Sequence, residues 1–281
     1  MDAARKAEIA ASTNFKEEEV QTIDFSQVNW YAMRAAAAYQ AEAGIRQTFP
    51  ATTLVTTTSN DVQFFLECDT ANRRQIISIR GTANLGNARE DADYVQSRNT
   101  RLGIYLHSGF DEDAMQVFDA LLPSLDKSQQ IILTGHSLGA AISTILMMYL
   151  HEEGFELGPS INFGQPKVTN GRGVKKYSAL PLLRVVDEND LVPLVPPNDL
   201  IDEIHGGYQH LGPELMLLEG EYYVYQDAHT AQHSAISAFW RNLGHMSISA
   251  HYMQHYLHNI NSKLAQAVQV SYGERAEHID C

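Results

Sequence analysis

Apolar residues recur at helical spacing across residues 17–43. Val28, Tyr31, Ala32, Ala35, Ala36 and Tyr39 share one face, which predicts a helix that Gly44 would end. Three runs then read as strands: 52–58, 62–68 and 75–80. Ser59-Asn60-Asp61 and residues 70–73 form the turns between them. Ile76, Ile77 and Ile79 mark the third run as a core strand. Residues 82–100 are polar and irregular. Residues 109–125 predict a helix with Ala114, Val117, Phe118, Leu121 and Leu122 on one face. Further strands are expected at 160–163 and 182–186, and a short one at 222–225. Residues 193–220 are loop-rich, with Pro, Gly, Asn and Asp, and 247–268 predict a last amphipathic helix. No repeat, low-complexity tract or linker interrupts the chain. Residues 1–281 are expected to form one α/β unit, with a mostly parallel central sheet covered by helices on both faces.

The most informative break in the pattern lies between two strongly apolar stretches. Ile131, Ile132 and Leu133 form a continuous apolar run, as a strand buried on both faces does. From Leu138 to Leu150 the chain is rich in Ala, Leu, Ile and Met, with no Pro or Gly between Ala140 and Glu153, which predicts a buried helix. Between them stands Gly135-His-Ser-Leu-Gly139. A strand, a G-x-S-x-G turn and a helix make a nucleophile elbow. Gly135 and Gly139 leave room for a tight reversal that presents the Ser137 hydroxyl at the positive end of the following helix.

A serine hydroxyl is a poor nucleophile at neutral pH. It needs a histidine to take its proton and a carboxylate to orient that histidine. In this elbow arrangement the chain order is Ser, then Asp or Glu, then His. Asp190 is the leading acid, because it follows the apolar run 182–186 in a loop stiffened by prolines; Asp187 and Asp202 are its rivals. The histidines are too many to choose from by composition: His205, His210, His229, His233, His245, His251, His255 and His258 all follow. His251 and His255, and equally His229 and His233, are spaced as metal ligands on one helical turn. Neither pair has the intervening Glu of a metalloprotease motif, and no metal is expected. The oxyanion needs two donors. The Leu138 N–H is the first, and Gly81-Thr82, following the 75–80 strand, is placed to supply the second.

Composition narrows the partners. A formal net charge of −14 argues against nucleic acid and against electrostatic attachment to anionic lipid. No run of 18 apolar residues exists, so no transmembrane helix is expected. Cys68 and Cys281 cannot form a disulfide framework. Residues 1–12 do not read as a signal peptide. The expected location is therefore the cytoplasm, or the exterior for an enzyme shown without its leader.

Six ordered segments together resemble the class 3 lipase family, which contains the filamentous-fungus triacylglycerol lipases and bacterial and plant relatives. They are Ala35–Tyr39, Ile79-Arg-Gly-Thr82, Leu106-His-Ser-Gly-Phe110, Gly135–Ala141, Asn162-Phe-Gly-Gln-Pro-Lys-Val168 and Arg184-Val-Val-x-x-x-Asp190-Leu-Val-Pro193. The resemblance implies an α/β-hydrolase fold and a lipid-ester hydrolase that needs no cofactor. It implies Ser137 as nucleophile, Asp190 as acid and Thr82 with Leu138 as oxyanion donors. The terminal stretch Ala250-His251-Tyr-Met-Gln-His-Tyr256-Leu257 implies His251 as base, with His255 and His245 as fallbacks. Tyr39 and Val192 fall where family members border the acyl pocket. His107 and His136 match family histidines that are structural, and Tyr208-x-His210-x-Gly-x-Glu214 matches a segment of no derived role.

In two places the chain departs from the pattern. Asp187 stands where the family usually has Asn or Thr, a departure read as harmless. The expected lid, about residues 83–94, carries only Leu85 and Tyr94 as large side chains, with Asp91 or Asp93 at its hinge. A polar lid gains little by opening onto oil, so interfacial activation is expected to be modest, with lipid-interface contact transient and through the lid. A short-chain or feruloyl-type esterase or a phospholipase A1 on the same fold would use the same residues. A catalytically silent binding protein would not need them.

Overall fold

Asp24 starts the first helix. Its side chain accepts the backbone N–H groups of Ser26 (2.9 Å) and Gln27 (3.2 Å), satisfying amides that a helix leaves orphaned. The helix, α1, runs Phe25–Ala37. Gln63 then reaches over from the sheet and donates to the carbonyls of Ala38 and Gln40, at 2.7 and 2.8 Å. Those carbonyls are lost to a continuing helix, which explains why the expected helix stops short. The chain restarts as α2, Glu42–Thr48, so Gly44 lies within a helix instead of ending one. The computed structural model describes residues 21–82, 95–195, 206–231 and 249–278. The lid stretch 83–94 lies outside the described residues, as do Asp202, His205, His233, His245 and Cys281.

The strands are β1 Thr52–Thr57, β2 Gln63–Asp69, β3 Arg74–Ile79, β4 Gln96–Asn99, β5 Ile104–His107, β6 Gln130–His136, β7 Ser160–Phe163, β8 Thr169–Asn170, β9 Leu182–Asp187, β10 Tyr208–Gln209, β11 Glu214–Leu217, β12 Tyr222–Gln226 and β13 Val268–Gln269. The further helices are α3 Ser108–Leu121, α4 Leu138–Glu152, α5 Gly171–Tyr177 and α6 Met253–Asn261. Among the described residues, nine strands form one sheet in the order β1-β2-β3-β6-β7-β9-β11-β12-β13. Its centre, from β3 to β11, is parallel throughout. A second, antiparallel sheet has the order β10-β8-β5-β4.

Alternation along the strands builds the core. Ile77, Ile79, Ile131 and Leu133 point to one face and pack with Val117 and Phe118 of α3 and the apolar body of α4. Ile76, Ile132, Ile161, Val185 and Leu215 point to the other face, against Val28 and Ala32 of α1 and Tyr256 and Ile260 of α6. Helices thus cover both faces of a mostly parallel sheet. Helix α4 is buried from Gly139 to Leu150.

Three expectations are corrected. Residues 82–100 include strand β4, whose pairing with β5 fixes an otherwise polar sequence. Residues 193–220 include β11, a core strand inserted between β9 and β12. The last helix is shorter than 247–268. Tyr252 is extended (φ −67°, ψ 139°) and separates α6 from a 3-10 turn, Ser249–His251. At its other end the Lys263 ammonium donates to the carbonyls of Leu218 (2.7 Å), Gly220 (2.9 Å) and Asn259 (3.1 Å), which closes the helix.

Because β3, β6, β7 and β9 are parallel, the segments that follow them emerge at one edge of the sheet. Those segments begin at Arg80, Ser137, Gly164 and Glu188.

Candidate active site

Ser137 sits between β6 and α4 with φ 59° and ψ −128°. A non-glycine residue held there is strained by roughly 1–3 kcal/mol, and such strain clusters at functional sites. The flanking glycines are needed for space. A Cβ on Gly135 would lie 2.3 Å from the Gly139 carbonyl oxygen, and one on Gly139 would lie 2.3 Å from that of Ile79. The start of α4 is therefore pressed onto the end of β3.

That contact brings the segment after β3 against the elbow. Ile79 pairs with Gly135 across β3 and β6. A Cβ on Gly81 would come within 2.9 Å of the Ser137 Cβ, so Gly81 lies against the serine, and the half-buried Thr82 is the next residue in the chain. Leu138 opens the first turn of α4, where backbone N–H groups lack intrahelical partners and the helix dipole favours negative charge.

Asp190 and His251 meet beside Gly164, the residue that follows β7. The His251 Nδ1–H donates to Asp190 Oδ2 at 2.7 Å, and both side chains are essentially inaccessible. With the proton on Nδ1, Nε2 carries a bare lone pair. Nε2 is buried and has no hydrogen-bond partner among the described residues. An unpaired basic nitrogen held in a dry site is what a general base requires.

The acid is over-determined. Asp190 Oδ1 accepts the Val192 N–H at 2.8 Å, and Oδ2 also accepts the Tyr256 hydroxyl at 2.6 Å. The Tyr256 oxygen in turn accepts the Asp187 N–H at 3.1 Å. Burial, then the charges of Asp190 and Asp187, push the Tyr256 phenol well above its ordinary range, so it stays a donor. Gly164 makes room for the pair: with φ +54°, a Cβ there would lie 2.8 Å from the His251 ring and 3.0 Å from Asp190.

Val192 and Tyr39, the two residues expected at the acyl pocket, contact this cluster through hydrogen bonds. Val192 holds Asp190 through its backbone, as above. The Tyr39 hydroxyl donates to His136 Nδ1 (2.8 Å) and accepts the Gly81 N–H (3.1 Å). His136 Nε2 must be the protonated nitrogen, since it faces the His251 carbonyl at 2.7 Å and a carbonyl only accepts. Burial, then the neighbouring His251, push His136 down to about 3, so the ring is neutral. One hydrogen-bonded chain therefore joins the oxyanion loop to the backbone of His251.

The rivals are placed elsewhere. Asp187 pairs with His255, not His251, at 3.3 Å. His251 and His255 thus engage different carboxylates and do not share a helical face. His107 stacks on Phe110 (ring centroids 3.8 Å) and is pushed down to about 4 by burial. The segment of no derived role supports the acid loop. Its His210 Nε2 donates to the Pro193 carbonyl at 2.7 Å and its Glu214 pairs with buried Arg184 at 3.0 Å, while Lys167, from the segment after β7, donates to the Leu194 carbonyl at 3.0 Å. Sequence reasoning missed Gly164 and Tyr256, although both lie in motifs it used.

Comparison with known proteins adds the family. The profile described as Lipase (class 3) matches residues 76–200. A secreted mono- and diacylglycerol lipase 1 of Fusarium solani is 27% identical over 170 residues, covering 57% of this chain and 49% of its own length. A secreted mono- and diacylglycerol lipase A of Penicillium cyclopium is 26% identical over 166 residues, covering 56% and 52%. Residues 76–200 thus match the class 3 lipase family, and both curated relatives are lipases.

The fold agrees. Lipase II from Rhizopus niveus superposes with a TM-score of 0.67 at 21% identity, covering 84% of this chain and 96% of that one. A triacylglycerol lipase described as having a serine protease triad at its catalytic centre gives 0.67 at 18%, covering 88% and 98%. Both show the α/β-hydrolase fold for this chain. The chain spans about half the length of the two curated relatives, 49% and 52%. Among its described residues, no helix is long and apolar enough to cross a membrane.

Proposed function

We propose that this chain is a serine-dependent carboxylic ester hydrolase acting on lipid acyl esters, with acylglycerols as its substrates. One observation carries the reading: a buried His251–Asp190 pair, 2.7 Å apart, leaves Nε2 without a partner beside a strained serine elbow. The names of the Fusarium and Penicillium relatives support the acylglycerol part.

The Ser137 hydroxyl attacks the ester carbonyl carbon while its proton passes to His251 Nε2. Asp190 stabilises the imidazolium that forms. The N–H groups of Leu138 and Thr82 hold the tetrahedral oxyanion, a contribution of about 3–4 kcal/mol for each donor lost. Collapse expels the alcohol, which leaves with the proton from Nε2. Water then attacks the acyl-enzyme by the same steps and releases the fatty acid. None of these steps calls for a cofactor.

The test is hydrolysis of a chain-length series of soluble esters and acylglycerols, measured across each substrate's solubility limit. Ser137→Ala should stay folded and lose about a million-fold in kcat. Undiminished turnover in that variant overturns the reading. The polar lid stretch 83–94 leads us to expect no large rate jump at the solubility limit.

A further inference from the structure

Asp187 stands where the family pattern has Asn or Thr, and the structure shows what faces it. Asp187 is buried at the end of β9. Its Oδ1 accepts the Asn189 N–H at 3.1 Å. Its Oδ2 accepts the Asn259 amide at 2.6 Å and lies 3.3 Å from His255 Nε2. The His255 side chain is 40% exposed, whereas that of Asp187 is 3% exposed. One end of this second carboxylate–imidazole pair is therefore in water and the other is in the core.

The pair is joined to the first. The Asp187 N–H donates to the Tyr256 oxygen, and the Tyr256 hydroxyl donates to Asp190 Oδ2, the oxygen that accepts His251 Nδ1–H. The Tyr256 hydroxyl thus links the Asp190 carboxylate to the Asp187 backbone, and the carboxylate of each aspartate has its own imidazole. A buried carboxylate is costly to hold charged unless a cation or hydrogen bonds offset it. His255 is the group positioned to do so.

Resting on the ester-hydrolase reading, we infer that His255 is a positioning residue that tunes the catalytic centre from the solvent side, by neutralising Asp187 so that Asp190 serves His251 alone. The charged groups facing His255 are Asp187 and Asp190 from the end of β9 and its following loop, and Glu219 from the turn between β11 and β12. The hydrogen bond to Asp187 comes first among the influences that raise His255 above the usual histidine range. Lys263, at the end of α6, also faces Asp187, but its ammonium is committed to three carbonyls. In weakly acidic solution His255 is protonated and Asp187 is balanced. Without that charge, Asp187 is left as an uncompensated anion one tyrosine away from the Asp190–His251 pair, where added negative charge favours a cation.

The experiment is a set of pH–rate profiles of kcat/KM on a soluble ester for the whole chain and three variants. His255→Gln retains a side-chain amide but loses the charge. It should move the acid limb up by about half a pH unit with KM nearly unchanged, and less in high salt. Asp187→Asn restores the family-type residue and should not move the limb upward. In the double variant the effect of His255→Gln should vanish, because no carboxylate remains to be unmasked. An unmoved limb in His255→Gln, or a shift of the same size in the Asp187→Asn background, overturns the inference. A wild-type chain that turns over no ester instead refutes the hydrolase reading itself.

Discussion

The two halves of the site are built in opposite ways. The nucleophile side is local: Ser137 is fixed by glycines two residues away on either side, and its hydroxyl is presented by the strand and helix that the motif joins. The acid–base side is assembled over distance. Asp190 and His251 are 61 residues apart, and Tyr256, Gly164, Val192, His136 and Tyr39 hold them from five different segments. The nucleophile is therefore encoded sterically and tolerates almost nothing. The base is encoded by a hydrogen-bond network whose members can be weakened one at a time.

Glycine substitutions break this comparison most directly. Gly139→Ala places a methyl 2.3 Å from a backbone carbonyl of β3, which cannot rotate away. The expected cost is about 3 kcal/mol or more, read as a large drop in melting temperature. Gly164→Ala also meets atoms within 3.0 Å, but these are the ends of His251 and Asp190. It should cost only about 1–2 kcal/mol for its left-handed backbone, while activity falls about 100-fold as the base is displaced. Equal losses of stability in the two variants would erase the distinction.

A smaller effect sharpens it. Burial depresses His136 to about 3 and His107 to about 4, and also lowers His210. In the unfolded chain all three titrate near their ordinary value. The unfolded state therefore binds protons that the folded state refuses as pH falls below about 6.5. Stability is fully present above that pH and is lost toward the folded values, by up to about 1.4 kcal/mol per pH unit for each histidine. Denaturant melts between pH 7 and 4 should show the decline. His136→Asn should flatten the part due to the acid–base side and leave the elbow geometry in place.

The same contrast governs what the sequence could tell. The elbow was legible because its determinants are adjacent: an apolar strand, two glycines and a buried helix. Asp190 was favoured from its place after an apolar run, with Asp187 still open. His251 could not be chosen from composition, because nothing local separates it from His255. What distinguishes them is which carboxylate each meets, and that depends on an extended Tyr252 dividing the turn from α6. Strand β11 was hidden for a similar reason. Gly212 at φ +84° and Pro213 precede only four strand residues, and Glu214 is tolerable in the core only because Arg184 pairs with it across β9. Helix α1 ends because of Gln63, a side chain from another element.

The central claim is that Ser137 is an activated nucleophile served by His251. Covalent labelling with a fluorophosphonate, followed by mass mapping of the adduct, tests it most directly. The account predicts one adduct on Ser137 in the wild-type chain and labelling slowed by orders of magnitude in folded His251→Gln. An unmodified Ser137 in the wild type, or labelling at full rate without His251, would contradict it.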